Sequence, residues 1–161
     1  MTRCTALIVA AGRGSRFGGP IPKQYADLGG KPVLSRTIEA FQAATTISAV
    51  RVVIAAGDEA IYARATEGCA LPAPVIGGAT RQQSVLSGLE ALSANAPDLV
   101  AIHDAARPFV RPAEIDACVA AVGSGIDGAI LGMPLADTLK RVDATGAIRE
   151  TVPRSQLWRV T

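Results

Sequence analysis

Aromatic residues make up only 4% of this 161-residue chain, so any core must be assembled from Ala, Val, Leu and Ile. Cysteine is confined to Cys4, Cys69 and Cys118, an odd number without metal-type spacing. That pattern reads as reduced thiols of a cytosolic protein. An excess of one charge is also lacking: 16 basic against 14 acidic residues leave a net charge of +2. So small an excess gives no argument for nucleic acid or an anionic membrane as partner. No apolar run approaches the roughly 18 residues of a membrane span. The short apolar stretch from Ala6 to Ala11 meets Arg13 and Arg16 at once, where a signal-peptide cleavage region would be small and uncharged. It reads instead as a buried strand. Repeats, low-complexity segments and interdomain linkers are missing as well. What is present is 49% apolar and 19% charged residues in the length of one domain, which excludes the disordered class.

The hydrophobic period switches along the chain. Continuous apolar runs at Thr5 to Ala11, Val50 to Ala56, Pro74 to Ile76, Leu99 to His103 and Gly128 to Met133 predict five strands covered on both faces. Between them fall helical stripes: Leu34, Ile38 and Phe41; a helix capped by Asp58 and running towards Glu67; Val85, Leu86, Leu89 and Leu92; and Ile115, Cys118, Val119 and Val122 behind Pro112. Strands alternating with helices predict an α/β, Rossmann-like, mostly parallel sheet with helices on both faces. After Pro134 the pattern changes. Thr138 to Val142 and Ala147 to Val152 alternate around Asp143-Ala144-Thr145-Gly146, a β-hairpin signal. Its faces carry little apolar bulk, so it is expected to project as an arm, either towards a partner chain or over its own domain.

Three segments carry chemistry. The first strand runs into Ala10-Ala11-Gly12-Arg13-Gly14-Ser15-Arg16, followed by Pro22-Lys23-Gln24. Glycines after a buried strand let backbone N–H groups face an anion, and Arg13, Arg16 and Lys23 suit a triphosphate. A Walker motif is missing, and Gly12, Gly14 and Gly18 are spaced one residue too long for a dinucleotide fingerprint. The second strand also lacks an acid for ribose at its tip, which argues against a dehydrogenase. Next, Gly77-Gly78-Ala79-Thr80-Arg81-Gln82-Gln83-Ser84 precedes a helix: it suits a base edge or phosphate, or Thr80 simply caps the helix. Finally, His103-Asp104-Ala105-Ala106-Arg107-Pro108 closes the fourth strand. Asp104 there is either a Mg²⁺ ligand beside substrate phosphates or the partner of Arg107 in a pair that shapes the loop. His103, the only histidine, invites a general-base reading, but as the neighbour of Asp104 it is expected to point the other way along the strand.

Taken in order and spacing, AAGRGSRFGGPIPKQY, GGATRQQSV, HDAARP, DTLKR and TVPRSQLWRVT resemble the 2-C-methyl-D-erythritol 4-phosphate cytidylyltransferase family over essentially the whole chain. The glycine-rich start is common to many nucleotidyltransferases; Pro-Lys-Gln-Tyr, His-Asp-Ala-Ala-Arg-Pro and Arg-x-x-Leu-Trp together are specific. The resemblance implies that Arg16 and Lys23 stabilise the transition state at the α-phosphate of CTP. It implies that Ala10, Ala11, Gly12, Gly14, Gly78 and Ser84 surround the cytidine and its phosphates. It assigns Asp104 to Mg²⁺ and to substrate binding. Arg107, Thr138 and Arg154 would hold the methylerythritol phosphate, with Arg154 also catalytic. It further implies a single nucleotidyltransferase domain over 1–161 and a homodimer joined through the arm at 137–154. Nucleic acid and membrane are not among the implied partners. Family members continue past Thr161, so the resemblance also implies a C-terminally incomplete chain, whose parent is either monofunctional or fused to the cyclodiphosphate synthase.

The chemistry is coherent without the resemblance. A phosphate monoester, with a second pKa near about 6, is already an anionic nucleophile at neutral pH. No general base is needed. The obstacle is bringing one phosphate to another, which Arg16, Lys23 and a metal on Asp104 would relieve while Arg154 orients the acceptor. The rival readings are another sugar-phosphate or molybdopterin nucleotidyltransferase, and a nucleotide-binding chain without turnover.

Overall fold

The computed structural model describes residues 2–13, 18–19, 21–122 and 125–160. The chain forms two compact units, Met1–Ala120 and Ala121–Thr161.

The first unit is built on a four-stranded parallel sheet of β1 (Cys4–Ala10), β2 (Ile47–Ile54), β3 (Val75–Ile76) and β4 (Leu99–Asp104), in the order β3-β2-β1-β4. The apolar run near the start is thus a central strand. Its two faces are covered differently. Ala6, Ile8 and Ala10 of β1, with Val50, Val52 and Ile54 of β2, form one buried cluster with Leu34, Ile38 and Phe41 of α1 (Val33–Gln42). Tyr62 and Ala65 of α2 (Glu59–Ala65) and Ile115 of α4 (Pro112–Ala121) join the same cluster. On the opposite face, Leu7 and Val53 meet α3 (Arg81–Leu92). Helices on both faces of a parallel sheet are what the alternating pattern predicts.

The α3 stripe differs from expectation. Its buried residues are Ser84 and Gly88, whereas Leu86 is 54% exposed and Leu89 also faces outwards. Gly88 is the cause: a Cβ there would lie 2.6 Å from a methyl carbon of Leu7 and 2.9 Å from one of Val53. Its missing side chain lets the helix backbone lie directly on the sheet, and the helix turns its small residues inwards to do so.

The fifth expected strand is also corrected. Of Gly128 to Met133, only the end is extended, as β5 (Gly132–Pro134) in the second unit. It pairs antiparallel with β8 (Trp158–Val160), not with the parallel sheet. The apolar run alone could not reveal which strand it would join. The expected hairpin is present as β6 (Leu139–Val142) and β7 (Ile148–Val152), paired antiparallel. Asp143 organises its turn: one carboxylate oxygen accepts from the backbone N–H of Thr145 (2.9 Å) and Ala147 (3.1 Å) and from the Thr145 hydroxyl (2.6 Å). Gly146 takes φ of 86°, a left-handed conformation that a side chain would oppose.

Candidate active site

Of the expected nucleotide residues, Ala10, Ala11, Gly12, Gly78 and Ser84 gather at the carboxyl ends of the parallel strands. β1 lies between β2 and β4, so chain order reverses at its tip, the crevice position where open α/β sheets bind ligands. Ala10 is buried there, Ala11 is half-buried and Gly12 is exposed. Arg13 leaves the loop sideways, donating to Asp58 Oδ1 (2.9 Å) and the Ala56 carbonyl (3.0 Å). Asp58 therefore starts α2, but its side chain does not cap the helix, contrary to the expectation from the sequence. A buried carboxylate gains more from a guanidinium than from another backbone N–H. The second Asp58 oxygen and the Tyr25 hydroxyl are buried without a hydrogen-bond partner among the described residues. Burial, followed by the Asp58 charge, pushes the Tyr25 phenol well above its ordinary range.

Lys23 opens a short 3₁₀ turn, Lys23–Tyr25, and its side chain is exposed. Its neighbour Gln24 is 2% exposed and reaches under the glycine-rich loop, donating to the carbonyls of Ala10 (2.6 Å) and Gly12 (3.0 Å). Gly14 and Arg16 lie outside the described residues.

The N-terminus of α3 is closed by a reciprocal capping box between Thr80 and Gln83, each accepting at 3.1 Å from the other's backbone N–H. The capping role of Thr80 is thus a structural fact. Ser84, almost fully buried, donates to the Thr80 carbonyl at 2.9 Å, with the Gly78 carbonyl 3.3 Å away. A Cβ on Gly77 would stand 2.6 Å from Ser84 Oγ and 2.9 Å from Ala11 Cβ. That close approach puts Ala11, Gly77 and Ser84 side by side.

Asp104 ends β4 opposite Val9 of β1. Arg81 donates to its Oδ1 (2.9 Å) and Arg107 to its Oδ2 (3.2 Å). Partial burial pushes the carboxyl up, but the hydrogen bonds and charges of Arg81 and Arg107 outweigh it and hold Asp104 below the ordinary carboxylate range. His103 faces the other side of the sheet. Its ring lies 4.8 Å from that of Phe41, and Nε2 is 3.0 Å from the Arg107 carbonyl. Burial lowers its pKa, an effect the contact with the Arg107 carbonyl partly offsets. The loop after Asp104 is pinned by Ala105 N–H to the Val9 carbonyl (3.0 Å) and by the Thr37 hydroxyl to the Ala105 carbonyl (2.8 Å).

Thr138 and Arg154 belong to the second unit. Thr138 is exposed just ahead of β6, and the Arg154 guanidinium donates to the Ala136 carbonyl. Sequence reasoning passed over Gln24 and Arg81 although both stand inside quoted motifs. Nothing in their spacing showed that one reaches back twelve or more residues to carbonyls, and the other across to β4.

The chain has counterparts among known proteins. The family model of 2-C-methyl-D-erythritol 4-phosphate cytidylyltransferase, IspD, matches residues 4–161. The chain belongs to this family. It is 51% identical over 160 residues to the bifunctional enzyme IspD/IspF of Rhodospirillum rubrum, covering 99% of this chain and 41% of that protein. It is 45% identical over 163 residues to the 2-C-methyl-D-erythritol 4-phosphate cytidylyltransferase of Xanthomonas axonopodis pv. citri, covering 96% of this chain and 59% of that one. Among solved structures, a 4-diphosphocytidyl-2C-methyl-D-erythritol synthase superposes with a TM-score of 0.84 at 31% identity, over 99% of this chain and 72% of that one. The chain thus spans about two-fifths of the length of its bifunctional IspD/IspF relatives.

Proposed function

We propose that the protein carrying this chain transfers a cytidylyl group from CTP to 2-C-methyl-D-erythritol 4-phosphate, releasing pyrophosphate, in isoprenoid precursor synthesis. One observation carries the reading. The Lys23 turn, the Ala10–Gly12 loop, the Gly77–Ser84 segment and Asp104 converge on the strand ends of a cytidylyltransferase-family fold. In this reading an acceptor phosphate oxygen attacks the α-phosphorus of CTP, a new P–O bond forms, and the bond to the β-phosphate oxygen breaks. No proton needs to move, because the acceptor is already anionic. Catalysis is positioning and charge neutralisation. Lys23, with Arg16, would face the α-phosphate oxygens. The loop at Ala10, Ala11, Gly12 and Gly14, with Gly78 and Ser84, would hold the nucleotide. Arg107, Thr138 and Arg154 would hold the acceptor.

Mg²⁺ is part of the proposal. A carboxylate offers about four lone-pair sites, and Arg81 and Arg107 occupy two of those on Asp104. Asp104 keeps acceptor capacity and fits a cation held mainly by phosphates. When bound, the ion would supply charge neutralisation on those phosphates. We also propose a cytoplasmic homodimer joined through the β6–β7 arm. The arm exposes Val142 and Ile148, and among the described residues no helix is long and apolar enough to cross a membrane.

The test is pyrophosphate release from CTP, ATP, GTP and UTP, with Mg²⁺ and with or without methylerythritol phosphate. CTP together with the acceptor should dominate. Equal or better use of another nucleotide would replace this reading with that of a different nucleotidyltransferase, and tight CTP binding without turnover would make the chain a binding domain only.

A further inference from the structure

We propose that Gln24 is a positioning residue for this reaction, locking the turn that carries Lys23 to the backbone that would cradle the nucleotide phosphates. The inference rests on the cytidylyltransferase reading for its kinetic part, but its geometry stands alone.

Gln24 is a long polar side chain at 2% exposure. Burying an amide is costly unless both its protons find acceptors. Both do: the single side-chain nitrogen donates to the carbonyls of Ala10 at 2.6 Å and Gly12 at 3.0 Å. Those carbonyls flank Ala11, so the amide grips the first turn of the loop at two points. Peptide planarity supplies the consequence. In a trans peptide the N–H points opposite to the C=O of the same unit, and the described peptides are all trans. With the Ala10 and Gly12 carbonyls aimed at Gln24, the N–H groups of Ala11 and Arg13 are aimed away from it. That is the side on which a bound anion would meet them.

The turn is equally fixed. Tyr25 N–H donates to the Pro22 carbonyl (2.9 Å) and Ala26 N–H to that of Lys23 (3.2 Å). Lys23 and Gln24 are consecutive, so one residue is exposed while the next is anchored. On the loop's other flank, Arg13 is tied to Asp58 and the Ala56 carbonyl. The distance from the Lys23 backbone to the phosphate-facing amides is therefore set by Gln24. A shift of about 1 Å in such a constellation can cost on the order of 10²-fold in rate.

Two variants test this in the complete protein. Gln24→Met keeps length and loses both donors. Gln24→Glu keeps shape and puts an anion against two carbonyls, while its protonated form can donate one hydrogen bond. Gln24→Met should lower kcat/KM for CTP by on the order of 10²-fold, with circular dichroism and melting showing a folded protein at the assay temperature. Gln24→Glu should regain activity relative to the parent as pH falls. A folded Gln24→Met within threefold of the parent would overturn the proposal. If Gln24→Met does not fold, a Gln24→Glu activity ratio flat with pH would do the same. One measurement needs no turnover: by NMR, both side-chain amide protons of Gln24 should exchange slowly with solvent in the parent. Rapid exchange would overturn the anchor whatever the enzyme's substrate. Slow exchange in a protein that ignores CTP would uphold the anchor and sink only the cytidylyltransferase reading.

Discussion

The sheet unit and the ribbon unit are held together by different means. In the first, strands distant in the chain pair in parallel, Thr5 with Ala49 and Cys4 with Leu99, and both faces of the sheet bury side chains. In the second, no described residue is buried. Its β6–β7 hairpin is held by ladder bonds, by Lys140 donating to Thr151 Oγ1 (2.6 Å), and by an Arg141–Glu150 ion pair at 2.6 Å. Such exposed pairs contribute little, and a lone two-stranded hairpin is marginal in water. The comparison teaches where precision can come from. The sheet unit supplies its own packed frame for the site proposed at its strand ends, whereas the ribbon offers reach and charge and gains from any surface that covers it.

The largest effect expected is on stability, and it should separate the two units. Leu7 is fully buried against Gly88, so Leu7→Ala should cost about 2–5 kcal/mol through lost transfer energy and a residual cavity. Ile148 is 64% exposed in the single chain, so at dilutions where the protein is monomeric its change to Ala should cost no more than about 0.5 kcal/mol. Urea unfolding of the two variants checks this. A larger loss from Ile148→Ala at concentrations where the protein is dimeric would mean that the ribbon face is covered there, as the proposed homodimer requires.

The next effect is catalytic. Lys23→Ala should lower kcat by roughly 10²–10³, the cost of one preorganised donor at developing charge, and leave KM for CTP nearly unchanged. Steady-state kinetics at saturating acceptor measures it. A change confined to KM would move Lys23 from transition-state stabilisation to plain binding.

How much of this was legible in the sequence depended on how local the cause is. The parallel sheet was, because continuous apolar runs and helical stripes alternate. So was the hairpin, whose turn carries Asp143 and Gly146 at the required places. The destination of β5 was not, since Gly132–Pro134 reads the same whichever strand it joins. The inner face of α3 was not either: hydrophobicity pointed to Leu86 and Leu89, while contact distance selected Gly88. At the candidate site, residue types and motif order singled out Lys23, Asp104 and the glycines as candidates. The second layer escaped. Gln24 under the loop, Arg81 on Asp104 and Arg13 on Asp58 are contacts between side chains and distant backbone or carboxylates, and no periodicity encodes them.

A smaller effect probes the ribbon as a functional arm. If each site takes Lys23 from one subunit and Arg154 from the other, a dimer of Lys23→Ala and Arg154→Ala chains gathers both lesions in one site and leaves the other intact. Random equal mixing makes about half the dimers mixed, so activity should recover to roughly a quarter of the parent's. No recovery, with subunit exchange verified by mass spectrometry, would place Arg154 in its own chain's site.

The smallest effect compares two carboxylates that do similar work at different range. In α4, Asp116 accepts from the backbone N–H and hydroxyl of Thr46 (2.9 and 2.7 Å) and from those of Thr45 (3.2 and 3.0 Å), stapling the helix to a segment some 70 residues away. The Thr46 bonds, chiefly, bring its pKa down to about 2. Asp143 accepts in the same manner from Thr145 and Ala147 and pairs with Arg149, and its pKa is also depressed, but every partner is local. A folded-state pKa below the unfolded value of about 3.9 means stability that is fully present above that value and lost as pH falls through the folded pKa. Asp116→Asn should therefore lower the Tm at pH 7, with the gap from the parent closing between about pH 4 and pH 2. Asp143→Asn should leave the Tm nearly unchanged at every pH and loosen only the hairpin turn, seen as faster amide exchange at Thr145 and Ala147. Equal Tm losses from the two would show that the ribbon unfolds together with the sheet, and that the two units share one cooperative transition.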